Sequence, residues 1–230
     1  MRNLVYLELK KFSLRPHLIG LGMANIIILL VSIFTSTFFT SGTNTSVAGL
    51  PPMQLDTVTM AALLVNATLI VWESVLISTF IIEEYRNKTI ALLFTYPVNR
   101  AKLILTKVIM ICGIIFVFHI CSMVFQNICI SFLRRQFDFV TYSFENPFVQ
   151  VITTVSTILL GLFPMFVGMV KKSTITTVVS SLIIVAVASN SQGATAGLLS
   201  IPLLAITFGM IGAIFGAVAI KKMITSDLYN

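Results

Sequence analysis

Six apolar runs divide this chain, at residues 18–39, 58–82, 108–130, 148–170, 175–188 and 198–220. A helix needs about 20 apolar residues to cross the hydrocarbon layer of a bilayer, and all but the fifth run reach that length. Only 10% of the 230 residues are charged, and mean hydropathy is +1.00. A soluble domain of this size cannot hide that much apolar surface, so lipid is the solvent that fits. Lipid in turn demands a backbone that satisfies its own hydrogen bonds. The runs are continuous rather than alternating, which selects helices over the strands of a barrel. The reading is an all-α membrane protein: one transmembrane domain over residues 1–230 with six spans.

Lysines and arginines orient the spans. With the N-terminus inside, the inner segments carry Arg2, Lys10, Lys11 and Arg15; Arg86, Lys88, Arg100, Lys102 and Lys107; Lys171 and Lys172; Lys221 and Lys222. The outer loops carry only Arg134 and Arg135. This asymmetry places both termini in the cytoplasm. It also accounts for the net charge of +7 without nucleic acid, because the basic residues sit in short clusters between apolar runs, as an anionic lipid surface favours. The first run is longer than the core of a secretory signal and is followed by no small-residue cleavage site, so it is expected to stay as an anchor. Cys112, Cys121 and Cys129 all fall in one run and read as small apolar packers, not a disulfide framework.

Ahead of the first span, Leu4, Leu7 and Lys11 fall near one another, Val5, Leu9 and Phe12 extend an apolar side, and Glu8 and Lys10 take the polar one. Residues 1–16 therefore read as a short amphipathic helix on the inner leaflet, broken at Ser13 and Pro16; a frayed basic tail is the alternative. In the first outer loop, Asp56 or Thr57 is placed to cap the second helix.

The largest inner segment, residues 83–107, is the most informative. Glu83, Glu84, Arg86 and Arg100 mix charge with an apolar set, Ile90, Leu93, Phe94 and Pro97, spaced to present one face to a partner. Pro97 ends this helix, and residues 99–102 turn the chain back to the bilayer. By themselves these residues admit two readings: a lever gripped by a partner, or a solvated basic loop. The pattern Glu84-x4-Thr89-Ile90-x2-Leu93-x3-Pro97-Val98-x-Arg100-x2-Leu103-x3-Lys107 resembles the loop after the second span of bacterial type-2 ABC-transporter permeases. The resemblance implies that this loop is a coupling helix docked on a cytoplasmic ATPase. It further implies that residues 1–16 are the family's interface helix, and that two permease subunits, identical or sister, form the pathway above two ATPase subunits. ATP and magnesium would sit on that partner, since this chain carries no Gly-x-x-x-x-Gly-Lys-Ser/Thr loop. Compact permeases of this family often serve peptide antibiotics, bacteriocins or toxins, which implies export of amphipathic peptides across a bacterial cytoplasmic membrane; lipids or hydrophobic drugs are the alternative cargo.

Two other classes compete. The run Glu83-Glu84-Tyr85-Arg86-Asn87-Lys88 approaches the Glu-Glu-x-x-x-Arg motif of intramembrane proteases, with Lys88 in place of the Arg. A channel or assembly protein without an ATPase is the other. No His-Glu-x-x-His or Gly-x-Ser-x-Gly motif is present, and potential metal ligands do not cluster.

Polar groups inside spans are costly and therefore candidates for function. Asn66 and Glu73 share a face of the second span; His119, Ser122 and Gln126 share one of the third. Glu73 and His119 fall at similar depth and are placed to pair, as a functional couple or as glue between helices. Gly209, Gly212, Ala213 and Gly216 form a small-residue stripe suited to packing within the subunit, and Pro164 should kink the fourth span. The orientation is directly testable. In a variant freed of native cysteines, Cys at Ser46 or Gln192 should react with an impermeant thiol reagent applied to intact cells, and Cys at Asn87 should not. Labelling at Asn87 would invert the topology.

Overall fold

All six apolar runs are helical in the computed structural model, which describes residues 14–42, 56–86, 100–137, 140, 146–190 and 197–226. The helices are α1 (Leu14–Gly42), α2 (Thr57–Arg86), α3 (Arg100–Leu133), α4 (Pro147–Lys171), α5 (Thr174–Ala188) and α6 (Pro202–Ser226). Five are long and apolar enough to cross a membrane, and α5, at 15 residues, is apolar but shorter. The described residues contain no strand. Nearly all of the expected amphipathic segment, and the loop positions Thr89, Ile90, Leu93, Phe94 and Pro97, lie outside the described residues.

The helices outrun their apolar stretches. Hydropathy marks only what sits in hydrocarbon, whereas the backbone ladder continues into the headgroup region. Thus α2 carries on through Glu83–Arg86, and Arg100 and Lys102 form the first turn of α3 where the sequence placed a return turn. Pro16 likewise lies in the first turn of α1 instead of breaking the chain ahead of it. In a first turn the missing proline N–H has no helical acceptor to lose. Asp56 does occupy the cap position of α2, but its carboxylate makes no capping hydrogen bond; Thr59 Oγ1 donates to its carbonyl at 2.8 Å. Ser173 caps α5, accepting from the Thr176 N–H at 3.4 Å.

The expected kink is present in α4. Helix runs over Pro147–Gly161 and again over Phe163–Lys171. Pro164 has no N–H for the carbonyl of Leu160, and the ladder tightens there: Leu162 N–H donates to Leu159 O at 3.2 Å and Met165 N–H to Leu162 O at 3.1 Å. In α2 the irregularity is opposite in kind, a π turn over Ser78–Ile82 closed by Glu83 N–H on Ser78 O.

Helix α2 is the hub, contacting α1, α3, α4 and α5. Its lower half, with Leu76, Ile77 and Ile82, packs with Ile111 and Ile115 of α3, Met165 of α4 and Met223 of α6. Its upper half, with Ala61, Val65 and Leu69, packs with Leu21 and Ile28 of α1 and Phe118 and Ile130 of α3. Large apolar side chains such as Ile19 and Phe34 of α1, Ile183 of α5 and Leu203 of α6 stand exposed around the outside, the inverse of a water-soluble bundle.

The glycine stripe of α6 faces α4 within the subunit. Gly209 sits on Ser156, Gly216 on Leu162, and a Cβ at Gly212 would overlap the backbone of Leu159 and Leu160. Gly113 of α3, by contrast, has open space where its Cβ would be. Gly212→Ala should therefore destabilise by about 1–3 kcal/mol through overpacking. Gly113→Ala should be neutral or gain up to about 1 kcal/mol from helix propensity. Thermal unfolding in detergent checks both, and equal effects would refute the α4–α6 seam.

Candidate coupling site and buried polar groups

Helix packing gathers a mostly basic set of charges, with Glu83 and Glu84 among them, at one end of the bundle. Gly168 of α4 lies against Ile82 of α2, and the Tyr85 hydroxyl donates to the Met223 carbonyl of α6 at 3.2 Å. These contacts join α2, α4 and α6 close to the ends that carry Arg86, Lys171, Lys172, Lys221 and Lys222. At this basic end Lys107 Nζ is ion-paired with the Glu84 carboxylate and donates to the Phe80 carbonyl at 3.4 Å. Glu84 and Lys107 are the first and last residues of the loop pattern. The side chains are only 14% and 4% exposed, so the pair is largely withdrawn from water. Glu83 is half-buried beside it and Arg86 is exposed. The ion pair thus joins the last turn of α2 to α3 two turns in from its start at Arg100, with Tyr85 tying the same turn of α2 to α6. Arg100 opens α3.

Higher in the bundle the expected polar pairing is replaced by another. Glu73 and His119 are both fully buried, yet neither makes a hydrogen bond among the described residues, and none joins them. Glu73 instead turns toward the break in α4, where its carboxylate fills the space a Cβ on Gly161 would need. Asn66, on the same face one step higher, points into a small cleft with Leu199 and Ser200 and Ala188 of α5; its Oδ1 has no hydrogen-bond partner among the described residues. The polar face of α3 looks to α1. Gln126 Nε2 donates to the Asn25 backbone carbonyl (2.9 Å) and to Asn25 Oδ1 (3.2 Å), while Asn25 Nδ2 donates to Ser122 Oγ at 2.9 Å.

Asn25 was the residue missed from the sequence. Its signal was legible, as the one amide in the run 18–39, but its partner was not, because depth along a helix does not say which neighbour a face meets. Ser74 of α2, hydrogen-bonded to Ser181 of α5 at 2.8 Å, offered no such signal. Between α1 and α5, the face of α2 lines a groove of about 520 Å³ with Ala67, Thr68, Val71 and Val75, opposite Val185. At its α1 side the Trp72 indole N–H donates to His17 Nδ1 at 3.2 Å.

A bundle of helices long and apolar enough to cross a bilayer, with large apolar side chains exposed around its outside, is that of a multi-pass membrane protein. The chain belongs to the ABC-2 transporter family: the model for the ABC-2 family transporter protein matches residues 4–188. It is 28% identical to the uncharacterized protein YcbO of Bacillus subtilis (strain 168) over 238 residues, covering 98% of this chain and 99% of that one. No solved structure is significantly similar. Members of this family are non-catalytic transmembrane permeases that normally work with a cytoplasmic ATPase; this chain is a membrane transport subunit of the family.

The buried bonds make a quantitative contrast. Asn25→Leu should cost about 0.6–1.7 kcal/mol, the range for hydrogen bonds between helices in membranes. Its effect should be strongly non-additive with Gln126→Leu, whereas Glu73→Leu and His119→Leu, sharing no bond, should add. Thermal unfolding of the two double-mutant cycles in detergent decides; coupling between Glu73 and His119 would restore the pairing read from the sequence.

Proposed function

We propose that this chain is the permease of an ATP-driven exporter in a bacterial cytoplasmic membrane. All six helices cross the bilayer, and the basic end and both termini face the cytoplasm. Two permease subunits stand over two ATPase subunits, which bind ATP and magnesium. The observation that carries this reading is the Glu84–Lys107 clasp, which closes the ends of the loop pattern so that residues 87–99 can act on α2 and α3 together. An apolar face centred on Ile90, Leu93, Phe94 and Pro97, flanked by Thr89, would seat in a groove of the ATPase, where a few buried anchors usually dominate affinity. When the ATPases close, the loop moves and the helix pair follows, exposing the α1–α2–α5 groove alternately to the two sides.

The cargo we propose is an amphipathic peptide. The groove is apolar with a His–Trp pair at one edge, and no ring of charge lines it to coordinate an ion or sugar. Lipids or hydrophobic drugs have compatible chemistry and are outcomes of the test. A protease reading finds little support in the geometry. Glu84 is engaged by Lys107, and His119 lies twelve residues farther along α3, about 18 Å at 1.5 Å per residue, too far to share a water with it.

The first test is biochemical: the tagged permease should co-purify with a nucleotide-binding subunit, and Phe94→Ala or Leu93→Asp should weaken that association at least about tenfold, as loss of a buried anchor does. Normal association in both variants would make the loop a solvated connector. For cargo, deletion of the gene should abolish secretion of a peptide or sensitise cells to added membrane-active peptides. Unchanged behaviour in both assays, with a lipid-export defect, would replace the peptide and leave the permease.

A further inference from the structure

From α3, Lys107 makes two contacts with α2. One is the Glu84 carboxylate; the other is the backbone carbonyl of Phe80 at 3.4 Å. Phe80 lies inside the π turn Ser78–Ile82. A π turn interrupts the regular i to i−4 ladder with an extra residue, which makes it a place where a helix bends. The ammonium therefore holds α2 at its one irregular turn and again one turn farther on. Just beyond, Tyr85 anchors on the Met223 carbonyl of α6. Leu76 and Ile77 ahead of the π turn, and Ile81 and Ile82 within it, belong to the same buried core. A rigid shaft, an irregular turn and a clasped end follow one another within about ten residues of α2.

We propose that Lys107 is a positioning residue for energy coupling: it pins the π turn of α2 as a hinge, so that a push on residues 87–99 rotates the lower end of α2 about Ser78–Ile82 instead of being absorbed within the loop. The proposal rests on the reading of the chain as an ATPase-driven permease, but the hinge itself is a property of this chain. An ion pair serving stability alone would need only Glu84. The second contact, to a π-turn carbonyl, is what makes Lys107 specific to the hinge. Arginine at this position can keep both contacts; a charge-reversed pair can keep only the first, because a carboxylate cannot donate to the Phe80 carbonyl.

The experiment is done at two levels. In proteoliposomes with the ATPase, Lys107→Met should lower cargo moved per ATP hydrolysed by about tenfold, within the range of coupling effects for residues on such a path. Lys107→Arg should restore the ratio, and Glu84→Lys combined with Lys107→Glu should not restore it fully. An unchanged ratio in Lys107→Met, or full recovery in the reversed pair, would overturn the proposal, even if thermal stability changes. In the permease alone, spin labels at Arg86 and Lys171 should give a narrow distance distribution that Lys107→Met broadens and Lys107→Arg does not. Absence of broadening overturns the hinge without reference to any ATPase. Broadening in a protein that binds no ATPase would keep the hinge and overturn the permease reading. If Lys107→Met fails to fold, the comparison between Lys107→Arg and the reversed pair carries the same decision.

Discussion

Lipid is as apolar as leucine, so these helices gain little by hiding leucine from it. What determines their arrangement is close approach and a few buried polar bonds. The clearest case is the seam between α4 and α6, where Gly209, Gly212 and Gly216 let two backbones meet over about two turns. Two contacts at the basic end adjoin that seam. It holds α6 against α4 so that Met223 can receive Tyr85, and it holds α4 so that Gly168 lies on Ile82. Leucines at the three glycine positions would raise hydrophobicity and dismantle the bundle.

Polar atoms are placed with the same economy. Asn25, Ser122 and Gln126 stitch α1 to α3, and Ser74 with Ser181 stitches α2 to α5. These bonds tie the outer helices α1 and α5 to the central hairpin, where apolar packing alone would leave their rotation poorly defined. Glu73 is different. It has a seat because residue 161 is glycine and α4 is broken just after it, and it forms no hydrogen bond there. A bundle that accommodates a fully buried carboxyl without such a bond accepts a cost of about 1–3 kcal/mol or more.

In the proposed coupling, a displacement entering at the Glu84–Lys107 ion pair would pass to the π turn and the core of α2, and through Tyr85 to α6. An ion pair withdrawn from water is a weak source of stability but a strong source of register, because losing either partner strands the other. A lever of the proposed kind would need such a fixed geometry at its foot.

The number of helices, their class and their antiparallel order were legible in the sequence, because a continuous apolar run in lipid has one backbone solution and the lysines report which ends belong together. The break at Pro164 and the shortness of α5 were legible for equally local reasons. The loop pattern was recognisable as a string, but not that its two ends touch. Helix ends were misjudged at Glu83–Arg86 and at Arg100, because hydropathy measures solvent and not hydrogen bonding. The partners of the buried polar groups were the main failure. Asn66, Glu73, His119 and Gln126 each announced themselves as polar atoms in lipid, and periodicity gave their faces and depths. Which helix stood opposite each face was decided only by tertiary packing: Gln126 found Asn25, and Glu73 found Gly161 instead of His119. A sequence determines rotation and rise along one helix axis; the azimuth at which a second helix arrives depends on how all six pack at once.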